Sequence, residues 1–280
     1  MSRASKRKWK KRGMTLFVLI VTLILILPFL WMISTSFKQP DEVFSSIPKW
    51  LPRDFSFINY LSIWRRRYFT DYFLNSLIVS GFTMGIALIV AMFTGYGISR
   101  FSFRGKTFFS AMLIVVQMFP SMLLLIPLYM IMNSLGLLDT HLSMVIAYTT
   151  FAMPFCSWMI KGYFDTIPVS LEESARMDGC SRLGILFKIV MPLAAPGIVT
   201  VAMFAFVLSW QEYLYAMTFA RTEGMRTLTV GIALMQGQHG SVDWGQIMAG
   251  SVIACLPGLI LFTYLEKYLV QGFTMGAVKE

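Results

Sequence analysis

The sequence is poor in charge and in the residues that enzymes and disulfide-bonded proteins use. Only 14% of its 280 residues are charged, and it contains two histidines, His141 and His239. Its three cysteines are odd in number, lie far apart and include no CxxC pair, which argues against a disulfide framework and against a metal site. Neither HExxH nor GxSxG occurs, so the chain offers no catalytic residues for an integral membrane enzyme.

The sequence is instead rich in hydrophobic residues, which occur in long uncharged runs. It is 56% hydrophobic and 15% aromatic, with a mean hydropathy of +0.66, which is typical of membrane proteins. A membrane-spanning helix needs about 20 mostly apolar residues. The predicted fold is therefore an all-α integral membrane protein with six transmembrane helices, in the runs Gly13–Phe37, Tyr72–Ser99, Thr107–Leu138, Leu142–Ile160, Ile189–Gln211 and Trp244–Leu265.

Prolines inside these runs predict kinked helices, because each proline removes a backbone hydrogen bond. Membranes tolerate such kinks where neighbouring helices or a water-filled cavity satisfy the freed carbonyls, so the bundle is more typical of a transport path than of an anchor. The first run follows a basic segment, but it is too long for a signal peptide and lacks a cleavage pattern, so we expect a retained helix. The prolines are Pro120, Pro127, Pro154 and Pro257.

Lysine and arginine positions predict the orientation. The net charge of +10 also fits nucleic-acid binding, but a basic face needs a soluble domain to carry it, so no nucleic-acid partner is expected. With a cytoplasmic N-terminus, 16 basic residues fall inside and 8 outside. The positive-inside rule thus predicts a basic cytoplasmic segment at 1–12, an external loop at 38–71 and a cytoplasmic tail at 271–280. The outside cluster Arg65–Arg67 is either a solvated loop face or a docking patch.

A short charged stretch, SLEESARMDGC, interrupts the apolar runs at residues 170–180. Its spacing predicts a capping box between Ser170 and Glu173, a left-handed stop at Gly179 and a cap for the next helix at Ser181. We therefore expect a two-turn helix, Leu171–Asp178, with Leu171 and Ala175 on one face. Because so short a helix is marginal in water, it is either a capped cytoplasmic hairpin or a docking helix held by another protein.

From Glu173 the chain reads ESARMDGCSRLGILFKIVMP, which resembles the cytoplasmic EAA loop of importer permeases of the ABC transporter class. Five positions match at the family's spacing, and two, Ser174 and Met191, depart from it mildly. The segments LGLLDT, WQEYLYA, MQGQHGSVDWG and GFTMGAVKE resemble the carbohydrate-importing branch, with the six-span maltose-type permease as the nearest match. The matching positions are Glu173, Ala175, Gly179, Ile189 and Pro192.

The resemblance implies an assembly of two permease subunits, two ATPase subunits and an extracytoplasmic solute-binding protein. The loop helix, within about 166–192, would sit in a groove of the ATPase, and ATP and Mg would bind to that partner, with no cofactor on this chain. The C-terminal tail, Val278, Lys279 and Glu280, either reaches between the ATPases or is a mobile terminus. The coupling residues implied are Glu172, Glu173, Ala175, Arg176, Asp178, Gly179 and Pro192.

The resemblance also implies an external loop, about 221–245, that scoops the sugar from the binding protein; the alternative is a plain surface loop. Its candidate residues are Gln236, Gly237, Gln238, His239 and Gly240. Polar and aromatic residues in the spans either line a saccharide path or anchor the chain at the membrane interface. These residues are Gln117, Tyr148, Trp210, Gln211, Glu212 and Tyr213.

The sequence thus predicts a permease subunit with its core at residues 72–270, in the bacterial cytoplasmic (inner) membrane with both termini cytoplasmic. It would form half of the path of a binding-protein-dependent importer for a di- or oligosaccharide. Gly105-Lys106-Thr107 imitates a phosphate-binding loop, but Arg100 stands where that motif needs glycine, so the ATPase is expected on a separate subunit. The alternative is a self-contained secondary transporter or channel, although no lysine or arginine lies in mid-span.

Overall fold

A computed structural model describes residues 3–45, 49–236 and 242–277, and every regular element in these ranges is helical. A 3₁₀ turn at Ser121–Leu124, a π-turn at Leu186–Val190 and a 3₁₀ turn at Glu223–Met225 lie between or within the α-helices. The α-helices are α1 (Arg3–Ser36), α2 (Pro40–Val43), α3 (Ile58–Trp64), α4 (Phe69–Arg100), α5 (Lys106–Met118), α6 (Leu125–Ser134), α7 (His141–Asp165), α8 (Val169–Met177), α9 (Arg182–Ile185), α10 (Met191–Leu193), α11 (Ala195–Trp210), α12 (Leu214–Phe219), α13 (Leu228–Leu234) and α14 (Trp244–Ala277).

The predicted spans correspond to four single helices and two bent pairs. Lys11–Ser36 of α1, Trp244–Lys267 of α14, and the whole of α4 and α7 are long and apolar enough to cross a bilayer. Lys106–Met118 and Ser121–Ser134 are bent by 93°, and Arg182–Leu193 and Ala195–Trp210 by 84°. The described residues therefore contain six spans, the predicted number, only if each bent pair crosses once.

Prolines mark the two bends, because a residue without an N–H starts a helix more easily than it continues one. Pro120 precedes the 3₁₀ turn in the first bent pair. Pro196 is the second residue of α11, just after the second bend, which the sequence analysis did not predict. Of the other three prolines predicted to kink helices, Pro127 lies in the first turn of α6, and Pro154 and Pro257 lie inside the continuous helices α7 and α14.

The chain divides into two compact units, Met1–Arg67 with Ile232–Cys255, and Tyr68–Gly231 with Leu256–Glu280. In the second unit, α4, α7 and α11 pack around a core of small and aliphatic side chains, including Ala91, Ala152 and Ala205. The segment predicted as the external loop 38–71 contains α2 and α3 in the first unit, and its last three residues already belong to α4. The Asn59 side chain of α3 donates hydrogen bonds to the carbonyls of Ser36 and Lys38, at 2.9 and 2.8 Å.

The close approach of α4 and α7 depends on Gly95. A Cβ at this position would lie 2.3 Å from Ile160 Cγ2 and 3.0 Å from the backbone nitrogen of Lys161. Small residues at such contacts allow helices to pack in membranes, where the hydrophobic effect does not drive association. Gly97 lies on the same helix and faces open space.

We expect Gly95→Ala to lower the free energy of unfolding by about 1–3 kcal/mol, because the added methyl group forces α4 and α7 apart. Gly97→Ala is the matched control, and it should leave stability unchanged or raise it slightly, since alanine favours helix. Thermal unfolding of both variants in detergent measures the difference. Equal unfolding temperatures would contradict the packing role of Gly95.

Candidate functional site

Helix α8 occupies the charged stretch predicted to dock to another protein, but it begins differently from the prediction. It runs from Val169 to Met177 after Pro168 at its N-cap, and no side chain caps this end. The predicted capping box is therefore wrong: Ser170 lies inside the first turn, where its carbonyl accepts a hydrogen bond from Ser174 Oγ at 2.9 Å. Pro168 explains the shift, because its fixed φ and missing N–H suit a helix start.

The C-terminal end of α8 follows the prediction. Gly179 has a φ of +83°, which glycine adopts without strain. The backbone N–H of Cys180 bonds to the Ala175 carbonyl at 3.0 Å, as in a Schellman motif. Ser181 Oγ accepts a hydrogen bond from the Gly184 N–H at 3.1 Å and caps the next helix. The chain therefore makes a sharp, fixed turn after α8.

The face of α8 that contacts the rest of the second unit consists of Glu172 and Ala175. Both are buried, with 2% and 7% of their surface exposed. The expected face of Leu171 and Ala175 is only half right, because Leu171 is 44% exposed. The helix is rotated so that an acidic residue points inward, which requires a compensating partner.

Arg100 and Tyr96, at the end of α4, are that partner. Arg100 Nε forms an ion pair with Glu172 Oε1, and both side chains are nearly buried. The Tyr96 hydroxyl donates a hydrogen bond to Glu172 Oε2 at 2.9 Å. Both carboxylate oxygens are thus bonded, and removal of either charge would leave the other buried without compensation.

The same guanidinium also holds the end of α7. Arg100 Nη2 donates to the carbonyls of Phe164 and Ile167, at 2.8 and 2.9 Å. A cation is favourable at this position because carbonyls at a helix C-terminus lack partners and carry partial negative charge. Arg100 therefore joins α4, α7 and α8 at one point.

The other faces of α8 are open. Met177 is 90% exposed, and Glu173, Ser174 and Arg176 are also exposed. Pro192, the last predicted coupling residue, lies in α10, after the π-turn Leu186–Val190. A helix anchored by one face and presenting a methionine and charged side chains on others is suited to contact a second protein.

A family model described as "Binding-protein-dependent transport system inner membrane component" matches residues 87–275, which include this whole site. The chain belongs to this family. It is 37% identical over 269 residues to the inner membrane ABC transporter permease protein YcjP of Escherichia coli (strain K12), covering 95% of this chain and 94% of the relative. The permease is thus a multi-pass inner membrane component of a transporter, not an enzyme, and its ATPase is a separate subunit.

Two further similarities cover almost the whole permease. It is 32% identical over 263 residues to the trehalose/maltose transport system permease protein MalG of Thermococcus litoralis, with 93% and 94% of the two chains covered. A chain in the crystal structure of a bacterial ABC transporter involved in the import of the acidic polysaccharide alginate matches with a TM-score of 0.81. That match has 25% identity and covers 96% of this permease and 99% of the other chain. Membership of this family of ABC transporter components argues against the alternative of a self-contained secondary transporter or channel.

Tyr96 and Arg100 are not among the site residues predicted from the sequence. In the sequence Arg100 is one of the predicted cytoplasmic basic residues and the residue that breaks the phosphate-binding motif, and a charge at the end of a span is a signal that could have indicated a site. What the sequence could not supply was the partner, because Glu172 is 72 residues away along the chain.

The permease does not gather the predicted path residues into one open surface. Tyr148 is fully buried in α7, and the Trp210 ring stacks on Phe206 at 5.5 Å. The Glu212 carboxylate accepts from the N–H groups of Tyr215 and Ala216, at 2.9 and 3.1 Å, and so caps α12. Gln117 donates to the Phe151 carbonyl at 2.8 Å, while Gln211 and Tyr213 are exposed. A role in the substrate path stays a prediction for all six residues.

The described part of the predicted scoop segment, 221–236 and 242–245, is not a plain loop, since it contains a 3₁₀ turn, all of α13 and the start of α14. Gln236 is exposed, but Gly237, Gln238, His239 and Gly240 lie outside the described residues, as do Val278, Lys279 and Glu280 of the tail. Asp139 ties the start of this segment to the LGLLDT motif. Its carboxylate accepts from the N–H groups of Arg221 and Thr222, at 2.8 and 2.9 Å.

We expect Arg100→Met to lower the free energy of unfolding by about 3–5 kcal/mol, because it leaves Glu172 buried and unpaired. The control is Lys161→Met, which breaks the more exposed ion pair with Asp165 on α7 and should cost about 0.5 kcal/mol. Thermal unfolding in detergent measures both, and protease cleavage near α8 reports its detachment. Similar small effects from both variants would contradict the anchoring role of Arg100.

We expect the stabilisation from Asp139 to depend on pH. Burial opposes its charge, but the hydrogen bonds from Thr222 and Arg221 and the Arg221 charge outweigh this and lower its pKa below the usual 3.8. Because its pKa is lower in the folded state, the ionised Asp139 carboxylate stabilises the fold at pH values above its usual pKa. This stabilisation is lost as the pH falls through the folded-state pKa.

Asp139→Asn should therefore lower the unfolding temperature at pH 7, and its difference from the unsubstituted permease should shrink below about pH 4. Asparagine tolerates the φ of +62° at this position, so the backbone is not strained. Asp54→Asn, at an exposed position, is the control and should show no such difference. A pH-independent loss at position 139 would refute the electrostatic origin.

Proposed function

We propose that this permease forms half of the translocation path of an ATP-driven importer for a carbohydrate, a di- or oligosaccharide delivered by an extracytoplasmic solute-binding protein. A second, homologous permease subunit forms the other half, and two ATPase subunits bind ATP and Mg²⁺. The carbohydrate class is supported by the relatives, because MalG is named for trehalose and maltose and the structural neighbour for alginate import.

The anchoring of α8 is the observation that carries the coupling part of the proposal. One face of this helix is fixed by the buried contacts of Glu172 with Arg100 and Tyr96, and its other faces are open. If α8 were only part of a capped hairpin at the surface, it would not need a buried ion pair. We infer that the ATPase surrounds the open faces, with Glu173 and Met177 in contact with it.

Motion of the ATPase would then pass through the Arg100 junction. When the ATPase dimer closes on ATP, α8 moves with the ATPase groove that holds it. The Arg100 junction then transmits the movement to the ends of α4 and α7. Such a transfer needs a rigid element between two assemblies that each have two states. The buried pair and the fixed turn at Gly179 provide that rigidity.

This mechanism requires α8 on the cytoplasmic side, where ATP is available. The excess of lysine and arginine in the segments on that side, 16 against 8, supports the same orientation, with both termini cytoplasmic. The segment containing Gln236 would then be external, on the side of the binding protein.

The test is the substrate-stimulated ATPase activity of the complete transporter in liposomes, with Glu173→Arg and, separately, Gly179→Trp. We expect at least a tenfold loss, because the first change reverses a charge at the contact and the second is incompatible with a positive φ. Asp54→Arg, the same charge reversal at an exposed position of the first unit, is the control and should retain full activity.

Normal assembly, ATPase activity and uptake in both α8 variants would refute the coupling proposal. Uptake by this permease alone, without ATPase subunits, would refute the requirement for a partner. A panel of neutral and uronate oligosaccharides in the uptake assay tests the substrate class, and uptake of none of them would refute the carbohydrate assignment.

A further inference from the structure

A cavity of about 380 Å³ lies within the first unit, beside the end of α1. Two tryptophans, Trp31 and Trp244, and two polar side chains, Thr35 and Lys38, line it together with apolar residues at the end of α2 and in α14. It belongs to neither the coupling site nor the predicted substrate path. Most of its polar lining lies before residue 87, where the match to the family model begins.

Lys38 is a buried cation that lacks a matching anion. Only 3% of its surface is exposed, and its ammonium donates to the Lys49 carbonyl at 2.6 Å and lies 4.1 Å above the Trp31 ring. No carboxylate lies within ion-pair distance of it among the described side chains. Burial lowers the pKa of Lys38, and attraction by the more distant Glu42 offsets only part of that effect. Buried charges normally have a closer counter-charge.

The Thr35 hydroxyl is a second buried hydrogen-bond donor beside the cavity. Its hydroxyl is buried and has no hydrogen-bond partner among the described residues. Buried hydroxyls are usually bonded, and in a helix the carbonyl four residues earlier commonly accepts the bond. An ammonium has three donors and the carbonyl of Lys49 uses one, so Lys38 and Thr35 together offer hydrogen bonds to a ligand in the cavity.

The position of the cavity along the spans indicates where this ligand comes from. The span in α1 ends at Ser36 and the span in α14 begins at Trp244, and both ends border the cavity. Span ends lie at the level of the lipid headgroups, where tryptophan and lysine are enriched. The ligand-binding groups therefore lie at the depth of phospholipid phosphates.

Helix α3, beside the cavity, has the composition of an interfacial segment. Asn59 and Ile63 are buried within the first unit, whereas Ile58, Leu61 and Trp64 are 48%, 58% and 44% exposed. The exposed Arg65 follows directly. An apolar face next to basic residues is typical of helices that lie in the plane of a membrane surface.

We propose that the cavity binds the phosphate of an anionic phospholipid in the leaflet opposite the basic N-terminus. Lys38 and Thr35 donate hydrogen bonds to the phosphate oxygens, Trp31 and Trp244 pack against the glycerol and the first methylenes, and α3 lies among the neighbouring headgroups. A neutral saccharide would stack on the tryptophans but would leave the Lys38 charge uncompensated.

The test is native mass spectrometry of the complete transporter, purified in mild detergent and titrated with phosphatidylglycerol. Lys38→Met should weaken phosphatidylglycerol binding about tenfold, because charge-assisted hydrogen bonds to phosphate are the strong ones. Thr35→Val should weaken it about threefold, as expected for one neutral hydrogen bond. Lys49→Met, which removes an exposed charge nearby and keeps the backbone carbonyl, is the matched control and should bind as the unsubstituted transporter does.

Three results would overturn the proposal. The first is equal phosphatidylglycerol binding by Lys38→Met and Lys49→Met, or, if Lys38→Met does not assemble, undiminished binding by Thr35→Val. The second is displacement of the lipid by millimolar inorganic phosphate, which would make the site one for a free anion. The third is displacement by maltose, which would make it a saccharide site.

Discussion

The position of α8 depends on one buried ion pair, between Arg100 and Glu172. A two-turn helix is not stable alone, and α8 has no side-chain cap at its start. Its orientation therefore comes from the carboxylate drawn inward by Arg100 and Tyr96 and from the small Ala175 beside it. Because Arg100 also bonds to the carbonyls of Phe164, in the last turn of α7, and of Ile167, just after it, the same side chain sets the relation of α8 to two membrane helices.

The junction is useful only if the helices behind it are rigid. Gly95, five residues before Arg100, brings α4 against the backbone of α7, and small residues such as Ala87 and Ala91 continue the contact. Close packing of this kind resists deformation, so a displacement at one end of the pair is carried along it. The motion that the proposed coupling needs is thus one of whole helices.

Several features were predictable because they depend on local chemistry. Gly179 and Ser181 have the roles expected from sequence, since a left-handed turn and an N-cap involve only neighbouring residues. The predicted capping box is wrong for a local reason, because Pro168 starts the helix before Ser170. The inward face of α8 and the bend before α11 were not predictable in the same way. The first depends on a partner far along the chain. The second follows from Pro196, but Pro154 lies inside a continuous helix, so a proline in the sequence does not by itself distinguish a bend from an unbroken span.

Residue order alone is enough to predict a membrane-spanning helical protein, and its resemblance to importer permeases predicts an EAA loop at about 166–192 and an ATPase on a separate subunit. The first follows from hydrophobic run length, a property of contiguous residues, and the other two from the resemblance and from the absence of a phosphate-binding motif in the sequence. The inward direction of Glu172, the junction of three helices at Arg100 and the cavity shared by Lys38 and Thr35 are visible only in the folded chain. Each of these depends on side chains that folding brings together from different helices, and on burial that makes an unpaired charge or hydroxyl costly.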